Sequence, residues 1–414
     1  MWRKQSMNSF DVIIIGGGPT GLSTAITIAK KSDLKVLVLE EHSEIGNPLA
    51  CGEGISTKKL LTLENMPRVS QEIDGSILKF QKEGSFIERE IISQRFFFDT
   101  AGVATSNLNT VTINRPLFDK LLAKEAEEHA ATIQLKSQVL GITKKDQKLE
   151  VKTQEKTFSA PLVIGCDGPS AHSVQMMNLS PPTEYVQGIE YKIEGVHTDA
   201  LDFYFNFREF PKMHYGWVFP KKSHTNVGIV TDTASKPKKM LVKFVDYLNN
   251  SNMKKSEILK EIAGIIPASG PIPKKYCDNY MVAGDAAGMT NSIFYGGIAI
   301  GIHTGMLAGE TAIKAHESQR FDDEFLSKYQ IRLDSCPYSD PVIQKAHELL
   351  YNKFSPEDIE TFGSFLDGWD ITMISKFQKI ILLLKALKKP STLRRINEIR
   401  TVAHGFSKSR DWGF

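Results

Sequence analysis

Cysteine is scarce in this sequence: four in 414 residues, scattered, with no CxxC pair. That argues against a disulfide framework and against a thiolate zinc or iron–sulfur site, so no metal is expected and a reducing compartment fits. Long apolar runs are missing as well. None approaches the roughly 20 residues that a membrane span needs. The opening MWRKQSMNSF has a basic start but no apolar core, and does not read as a signal peptide. An excess of one charge is also lacking. The 51 Lys and Arg stand against 48 Asp and Glu, a net of +3 that implies no nucleic-acid partner. A cytoplasmic protein is the default reading. What is present is the composition of a globular chain, 41% hydrophobic and 24% charged, at a length that calls for two or three domains.

The first unit that carries chemistry lies near the start. Phe10 to Ile15 (FDVIII) is continuous, β-branched and followed directly by glycines, the pattern of a short buried parallel strand. GGGPTG then fits G-x-G-x-x-G at Gly16, Gly18 and Gly21, with Thr20 inside the fingerprint. It opens a helical stretch over Leu22 to Lys31, and a second strand, Lys35 to Leu39, ends in Glu40. Gly16 makes the tight turn, Gly18 admits a pyrophosphate and Gly21 lets helix pack on strand. The helix N-terminus meets phosphate charge and Glu40 accepts from ribose hydroxyls. A lone glycine fingerprint is weak, but strand, helix, second strand and acid together predict dinucleotide binding. The acid favours an adenosine ribose without a 2′-phosphate. This unit alone does not separate FAD from NAD.

Four further segments stand out. PLACGEGIS, Pro48 to Ser56, holds Cys51 between Gly52, Glu53 and small residues; its ordinary reading is a tight turn. In NRPLFDKLL, Asn114 is a helix N-cap, Pro116 suits the first turn, and Leu117, Leu121 and Leu122 form an apolar stripe. Arg115 at that entrance is a solvated basic residue on the ordinary reading and a donor to a cofactor on the functional one. APLVIGCDGPS is an apolar strand ending in a turn at Asp167 and Gly168, with Cys166 as a small buried hydrophobe. YMVAGDAAGMTNSIFYGG is a strand followed by Gly284 and Asp285, then by Gly296 and Gly297 before a helix from Ile298 to Ala315. Asp285 suits a ribityl hydroxyl, and the glycine pair lets the helix start at Ile298 approach a flavin ring; a plain strand–helix loop is the alternative.

Taken together, these residues resemble the FAD-dependent oxidoreductases of the p-hydroxybenzoate hydroxylase-like structural group. The resemblance covers roughly residues 8 to 330. It implies that Arg115 touches FAD, that Asp167 and Gly168 match the group's Asp-Gly motif, and that Gly284 and Asp285 match its Gly-Asp motif. No second GxGxxG strand–helix unit is seen, so reduction by an external donor, NAD(P)H or ferredoxin-like, is expected. The fold class implied is α/β, α+β overall: a Rossmann-like FAD-binding domain (8–75, 110–175 and 276–330), an antiparallel-sheet substrate domain (76–109 and 176–275), and a C-terminal helical region (331–414).

Within that group, Tyr215-Gly216-Trp217-Val218-Phe219-Pro220 resembles the Y-x-W-x-F-P motif of the geranylgeranyl reductase family, and PLACGEGIS its Cys-Gly-Glu/Asp loop. Halogenases of the group carry W-x-W-x-I-P instead. One departure is that the family's Asn-Pro before the glycines is here Asn291-Ser292-Ile293-Phe294-Tyr295, which bears on the shape near the flavin. The resemblance implies reduction of isolated double bonds on a prenylated lipid or isoprenoid. Cys51 and Tyr215 are candidate proton donors, Trp217, Phe219 and Glu53 candidate substrate contacts, and Cys51 and Gly52 also candidate cofactor contacts. A neutral thiol donates without the desolvation cost of a charge. An aromatic hydroxylase of the same fold and a non-catalytic FAD- and lipid-binding protein are the alternatives.

Aromatic segments such as FFF at Phe96 to Phe98 and FYFNF at Phe203 to Phe207 suggest an antiparallel sheet whose aromatics are mostly core, with an apolar pocket wall as the sharper reading. From Ile371 to Arg400 the chain is basic around the apolar run Ile380 to Leu384. A packed helix with a solvated basic face is the ordinary reading. The sharper one is peripheral contact with anionic lipid headgroups.

Overall fold

A computed structural model describes residues 8–48, 51–56, 86–99, 101–248, 251–371, 395–409 and 412. Three sheets and their covering helices build it. The six-stranded sheet has the order Tyr276–Cys277, Tyr280–Val282, Leu162–Gly165, Val12–Ile15, Val36–Leu39, Thr132–Gln134. From Tyr280–Val282 to Thr132–Gln134 all neighbours are parallel. Val12–Ile15, Val36–Leu39 and Leu162–Gly165 are buried along their whole length, which is why their sequences are continuous apolar runs rather than alternating ones.

The first helix spans Pro19–Lys31, three residues earlier than the periodicity predicts. Proline is the reason: it lacks the N–H that a first turn leaves unbonded, and its φ is already helical. This helix crosses the long helix Ile298–Glu317 at very short range. A Cβ on Gly305 would stand 2.3 Å from both the Thr20 carbonyl and the Ser23 Oγ, so only hydrogen fits there. The crossing brings the N-termini of both helices to the same end of the parallel sheet.

In the helix Arg115–Glu128 the Asn114 side chain caps the Leu117 N–H, as expected. The stripe is only partly the expected one. Leu122 is buried, but Leu117 is 43% exposed and the buried face is Phe118, Leu122 and Ala126, because the helix packs mainly on Pro19–Lys31, one residue further round.

The eight-stranded sheet runs Ile258–Pro267, Tyr185–Glu194, His224–Asp232, Met213–Pro220, Leu201–Phe205, Ile87–Phe98, Val103–Ile113, Gly54–Ser56. Its pairs are antiparallel except Leu201–Phe205 with Ile87–Phe98. Like-numbered aromatics therefore stack across that parallel pair, Phe96 on Phe203 at 5.2 Å and Phe98 on Phe205 at 5.6 Å. Their face forms a second core with Phe294 and Phe406, distinct from the core around the parallel sheet. A four-stranded sheet, Asn8–Ser9, Thr157–Ala160, Lys148–Thr153, Val139–Lys145, flanks the first.

The C-terminal region is helical: Asp323–Asp334, Pro341–His347 continuing into a π-helical turn Glu348–Lys353, Pro356–Leu366 and Ile396–Ser409. The α/β class with a dinucleotide-binding sheet, an antiparallel sheet and a helical C-terminal region is the architecture found. Most of the basic stretch, including Ile380 to Leu384, lies outside the described residues, as do Leu49 and Ala50. Among the described residues no helix is long and apolar enough to cross a membrane.

Candidate active site

Two cavities of about 280 Å³ each open at the carboxyl end of the parallel sheet, and both are lined by Gly18, Arg115, Cys166 and Gly168. They form one elongated cleft. The polar end also takes Gly16, Glu40 and Asp167; the apolar end takes Thr20, Cys51, Glu53 and the aromatic wall.

The polar end fits a dinucleotide's phosphates. Gly18 caps the helix Pro19–Lys31 with no side-chain hydrogen bond, leaving its first-turn N–H groups to an outside acceptor. A Cβ built on Gly18 would meet nothing within 4 Å, so this backbone faces open space. Gly16 has φ +106°, and its Cβ would stand 2.2 Å from the Cys166 carbonyl; the turn tolerates glycine alone. Gly21 packs against Gly16 in the same way and does not line the cleft. The Glu40 carboxylate accepts from the Gly17 N–H at 2.7 Å and the His42 N–H at 2.9 Å, which holds it at the cleft edge. Asp167 accepts from the Ser173 N–H and Oγ, so the ordinary turn-forming role and a place in the cleft coexist.

At the apolar end, Gly296, Gly297 and Ile298 bring the N-terminus of the helix Ile298–Glu317 into the wall of the cavity that Cys51 and Gly52 also line. Asp285 lines the same space, its carboxyl pushed up to about 6 by burial against the opposing pull of Arg115. Gly284 sits behind it with φ +64°, held by its N–H to Thr304 Oγ1. Arg115 is not a solvated basic residue. It makes a bidentate pair with Asp119, both bonds 3.0 Å, and borders both cavities.

Glu53 is the post on which the Cys51 loop stands. It is 1% exposed, with φ +64°. Its carboxylate accepts from the Arg115 N–H at 3.0 Å, Lys192 at 2.9 Å and Asn226 at 3.1 Å, with Lys221 Nζ at 2.9 Å. Burial alone would raise this carboxyl; the Lys221 and Lys192 ammonium groups hold it at about 2 instead. Cys51 Sγ in turn accepts the Glu53 N–H at 3.2 Å. Burial pushes the Cys51 thiol up, against the pull of Arg115, so the sulfur is a neutral S–H near pH 7.

Tyr215, Trp217 and Phe219 alternate along Met213–Pro220 and all face the apolar cavity, with Phe203 beside them. Alternation along a strand puts every second side chain on one face, and the motif's spacing is that rule. The Tyr215 hydroxyl donates to the Phe294 carbonyl at 2.6 Å. Residues outside the predicted site set complete the wall. Phe294 and Tyr295 come from the segment that departs from the Asn-Pro pattern, and the departure itself was the available signal. His214, His347 and Tyr351 pack behind Tyr295 from two distant segments; no local pattern marks them.

The family described as FAD binding domain matches residues 9–269. A digeranylgeranylglycerophospholipid reductase of Methanocaldococcus jannaschii is 29% identical over 407 residues, covering 94% of this chain and 98% of the relative. One from Methanosphaera stadtmanae is also 29% identical, with 94% and 99% covered. A solved geranylgeranyl bacteriochlorophyll reductase-like protein of Thermoplasma acidophilum superposes with a TM-score of 0.79 at 26% identity, covering 95% of this chain and 100% of that one. The halogenase PltM with FAD superposes at 0.64 and 14% identity, with 98% and 96% covered, a likeness of fold alone.

Proposed function

Because the chain belongs to the FAD binding domain family and is an FAD-dependent oxidoreductase, we propose that it saturates isolated double bonds in geranylgeranyl chains carried on a lipid or isoprenoid. One observation carries this reading: the Cys51 loop and the Tyr215, Trp217 and Phe219 face close on one apolar cavity that continues the dinucleotide cleft. The relatives named as digeranylgeranylglycerophospholipid reductases, aligned over almost their whole length, support the substrate class.

An isolated alkene has no carbonyl to polarise it, so one carbon must take a proton as the other takes hydride. Bound FAD, once reduced by an external donor, supplies that hydride. The rest falls to the protein. Gly16, Gly18, Thr20, Glu40, Arg115, Asp167 and Asp285 hold the cofactor along the cleft. Phe203, Trp217 and Phe219 seat the chain and keep water out, which protects the hydride from solvent. Cys51 and Tyr215 are the acids of the pocket. Their hydrogen bonds separate them: the Tyr215 hydrogen is directed at the Phe294 carbonyl, whereas Cys51 accepts at sulfur and keeps its S–H for the pocket. Glu53 orients the loop that carries Cys51.

The purified yellow protein, reduced with dithionite and given a digeranylgeranyl lipid, should yield product heavier by two hydrogens for each bond reduced, read by mass spectrometry. Lipid recovered unchanged, with reduced flavin present and lipid bound, would overturn the reading. Cys51→Ala and Cys51→Ser should retain FAD and lose on the order of 100-fold in rate, the scale of a single general acid.

A further inference from the structure

Behind the pocket wall lies a hydrogen-bonded chain that the mechanism above does not use. Tyr295 lines the apolar cavity, is buried in the wall at 7% exposure, and has φ +57°, a conformation uncommon for a bulky residue. Its hydroxyl lies 2.5 Å from His214 Nδ1 and 3.3 Å from His347 Nδ1. Each imidazole is backed by a carboxylate. His214 Nε2 is 3.0 Å from Asp232 Oδ1, and His347 Nε2 is 3.3 Å from Glu184 Oε1. The two histidines are 5% and 1% exposed, whereas Asp232 and Glu184 are each 44% exposed. Two imidazole–carboxylate pairs therefore run from solvent and converge on one hydroxyl at the pocket wall.

Donor and acceptor chemistry gives the array a direction. A carboxylate only accepts, so His214 carries its proton on Nε2 and its Nδ1 accepts from Tyr295. Both His347 nitrogens face acceptors, the Glu184 carboxylate and the Ser292 carbonyl at 2.8 Å. His347 Nδ1 is thus the donor side of Tyr295 and His214 the acceptor side.

We propose that Tyr295, fed by the Glu184–His347 pair and oriented by the Asp232–His214 pair, is the inner end of a relay that returns to the pocket the proton each reduction consumes. The proposal rests on the reductase reading and adds to it the source of the proton. Each turnover moves one proton. The Tyr295 O–H bond turns from His214 into the pocket and breaks as its proton passes to the pocket acid. Tyr295 oxygen takes the Nδ1 proton of His347, which keeps its Nε2 proton; the ring then turns to bring the bare nitrogen to the Glu184 side, where it takes a proton from solvent. No electrons move along this path. A buried tyrosinate is costly, and burial raises the Tyr295 hydroxyl far above its ordinary range; the two transfers at its oxygen are accordingly concerted. The pocket that excludes water for hydride transfer thereby needs no water of its own to be reprotonated. Tyr295 and both histidines act through the pocket acid and are positioning residues in this sense.

Two readouts test this. In single turnover, dithionite-reduced protein is mixed with digeranylgeranyl lipid and return of the oxidised flavin absorbance is followed in H2O and D2O. Tyr295→Phe keeps the ring and removes the hydroxyl; it should slow this step roughly 10- to 100-fold and change the solvent isotope effect, with lipid binding unaltered. The double variant Glu184→Gln, Asp232→Asn, at half-exposed positions, should slow it in the same sense. Wild-type rates and isotope effects in both variants would overturn the relay, whereas failure of wild-type protein to reoxidise with lipid would overturn the reductase reading. The second readout needs no lipid. The 15N ring signals of the holoprotein should show His214 as the Nε2–H tautomer, and Tyr295→Phe should shift the rings of both His214 and His347. His214 found as the Nδ1–H tautomer reverses the hydrogen bond and overturns the relay as drawn.

Discussion

Two buried carboxyls near the Cys51 loop are driven in opposite directions. Glu53 has Lys192 and Lys221 against it and is held at about 2. Glu190, 2% exposed, has the Trp217 indole N–H near its carboxyl, and burial followed by the Glu53 charge raises it to about 8. At neutral pH one is a carboxylate and the other a carboxylic acid. Their contributions to stability have opposite signs. Glu190 binds its proton more tightly folded than unfolded, so its contribution is fully present below the ordinary carboxyl value of 4.5 and is lost as pH rises through about 8. Glu53's is present above 4.5 and is lost as pH falls through about 2. Between pH 4.5 and 8 wild-type stability should therefore fall by up to about 1.4 kcal/mol per pH unit relative to Glu190→Gln, which has no proton to lose. Denaturant midpoints of both proteins measured across that window check this; parallel curves would mean that Glu190 is ionised throughout. In the sequence Glu190 is one acid in YVQGIEYKIE, and its burial follows only from the neighbouring strands His224–Asp232 and Ile258–Pro267 on either side.

At the scale of elements, the crossing of Pro19–Lys31 and Ile298–Glu317 fixes both helix N-termini in the cleft, and it depends on a residue without a side chain. Gly305→Ala would bring a methyl to 2.3 Å of the Thr20 carbonyl, a backbone atom that cannot step aside. The variant should lose about 1–3 kcal/mol in urea unfolding, and its weakened FAD binding should appear in the flavin spectrum, since Thr20 lines the cavity. The strand, the glycine turn and Asn114 as a cap were legible in the sequence because each is a local pattern: a period, a missing Cβ, a side chain three residues from its N–H. The crossing was not. Its small residues sit within an ordinary helical periodicity, and what they meet is nearly 300 residues away. The same holds at the site. The cofactor fingerprint and the alternating Tyr215, Trp217 and Phe219 lie within short windows, whereas Tyr295, His214 and His347 meet only once the antiparallel sheet and the C-terminal helices have packed.

For the whole molecule, the cleft is where the parallel sheet, the antiparallel sheet and the long helix meet, so a dinucleotide lying in it bears on all three. Binding to the folded chain alone stabilises it by about 2.7 kcal/mol when free FAD is 100 times Kd, with a midpoint that climbs as FAD is added. The fingerprint glycines should divide this effect cleanly. Gly16 has φ +106° and a carbonyl 2.2 Å from its missing Cβ, so Gly16→Ala should destabilise the protein with or without FAD. Gly18 has φ −80° and open space at the same position. Gly18→Ala should leave the apoprotein midpoint unchanged while its methyl stands where the pyrophosphate approaches. A tenfold loss of affinity there would cut the stabilisation at the same FAD concentration to about 1.4 kcal/mol, about half. Thermal or urea unfolding of the two variants, each with and without FAD, makes the comparison. If Gly18→Ala retained the full FAD-dependent rise, the phosphates would not lie over this backbone, and the assignment of the polar cavity to the cofactor would fail.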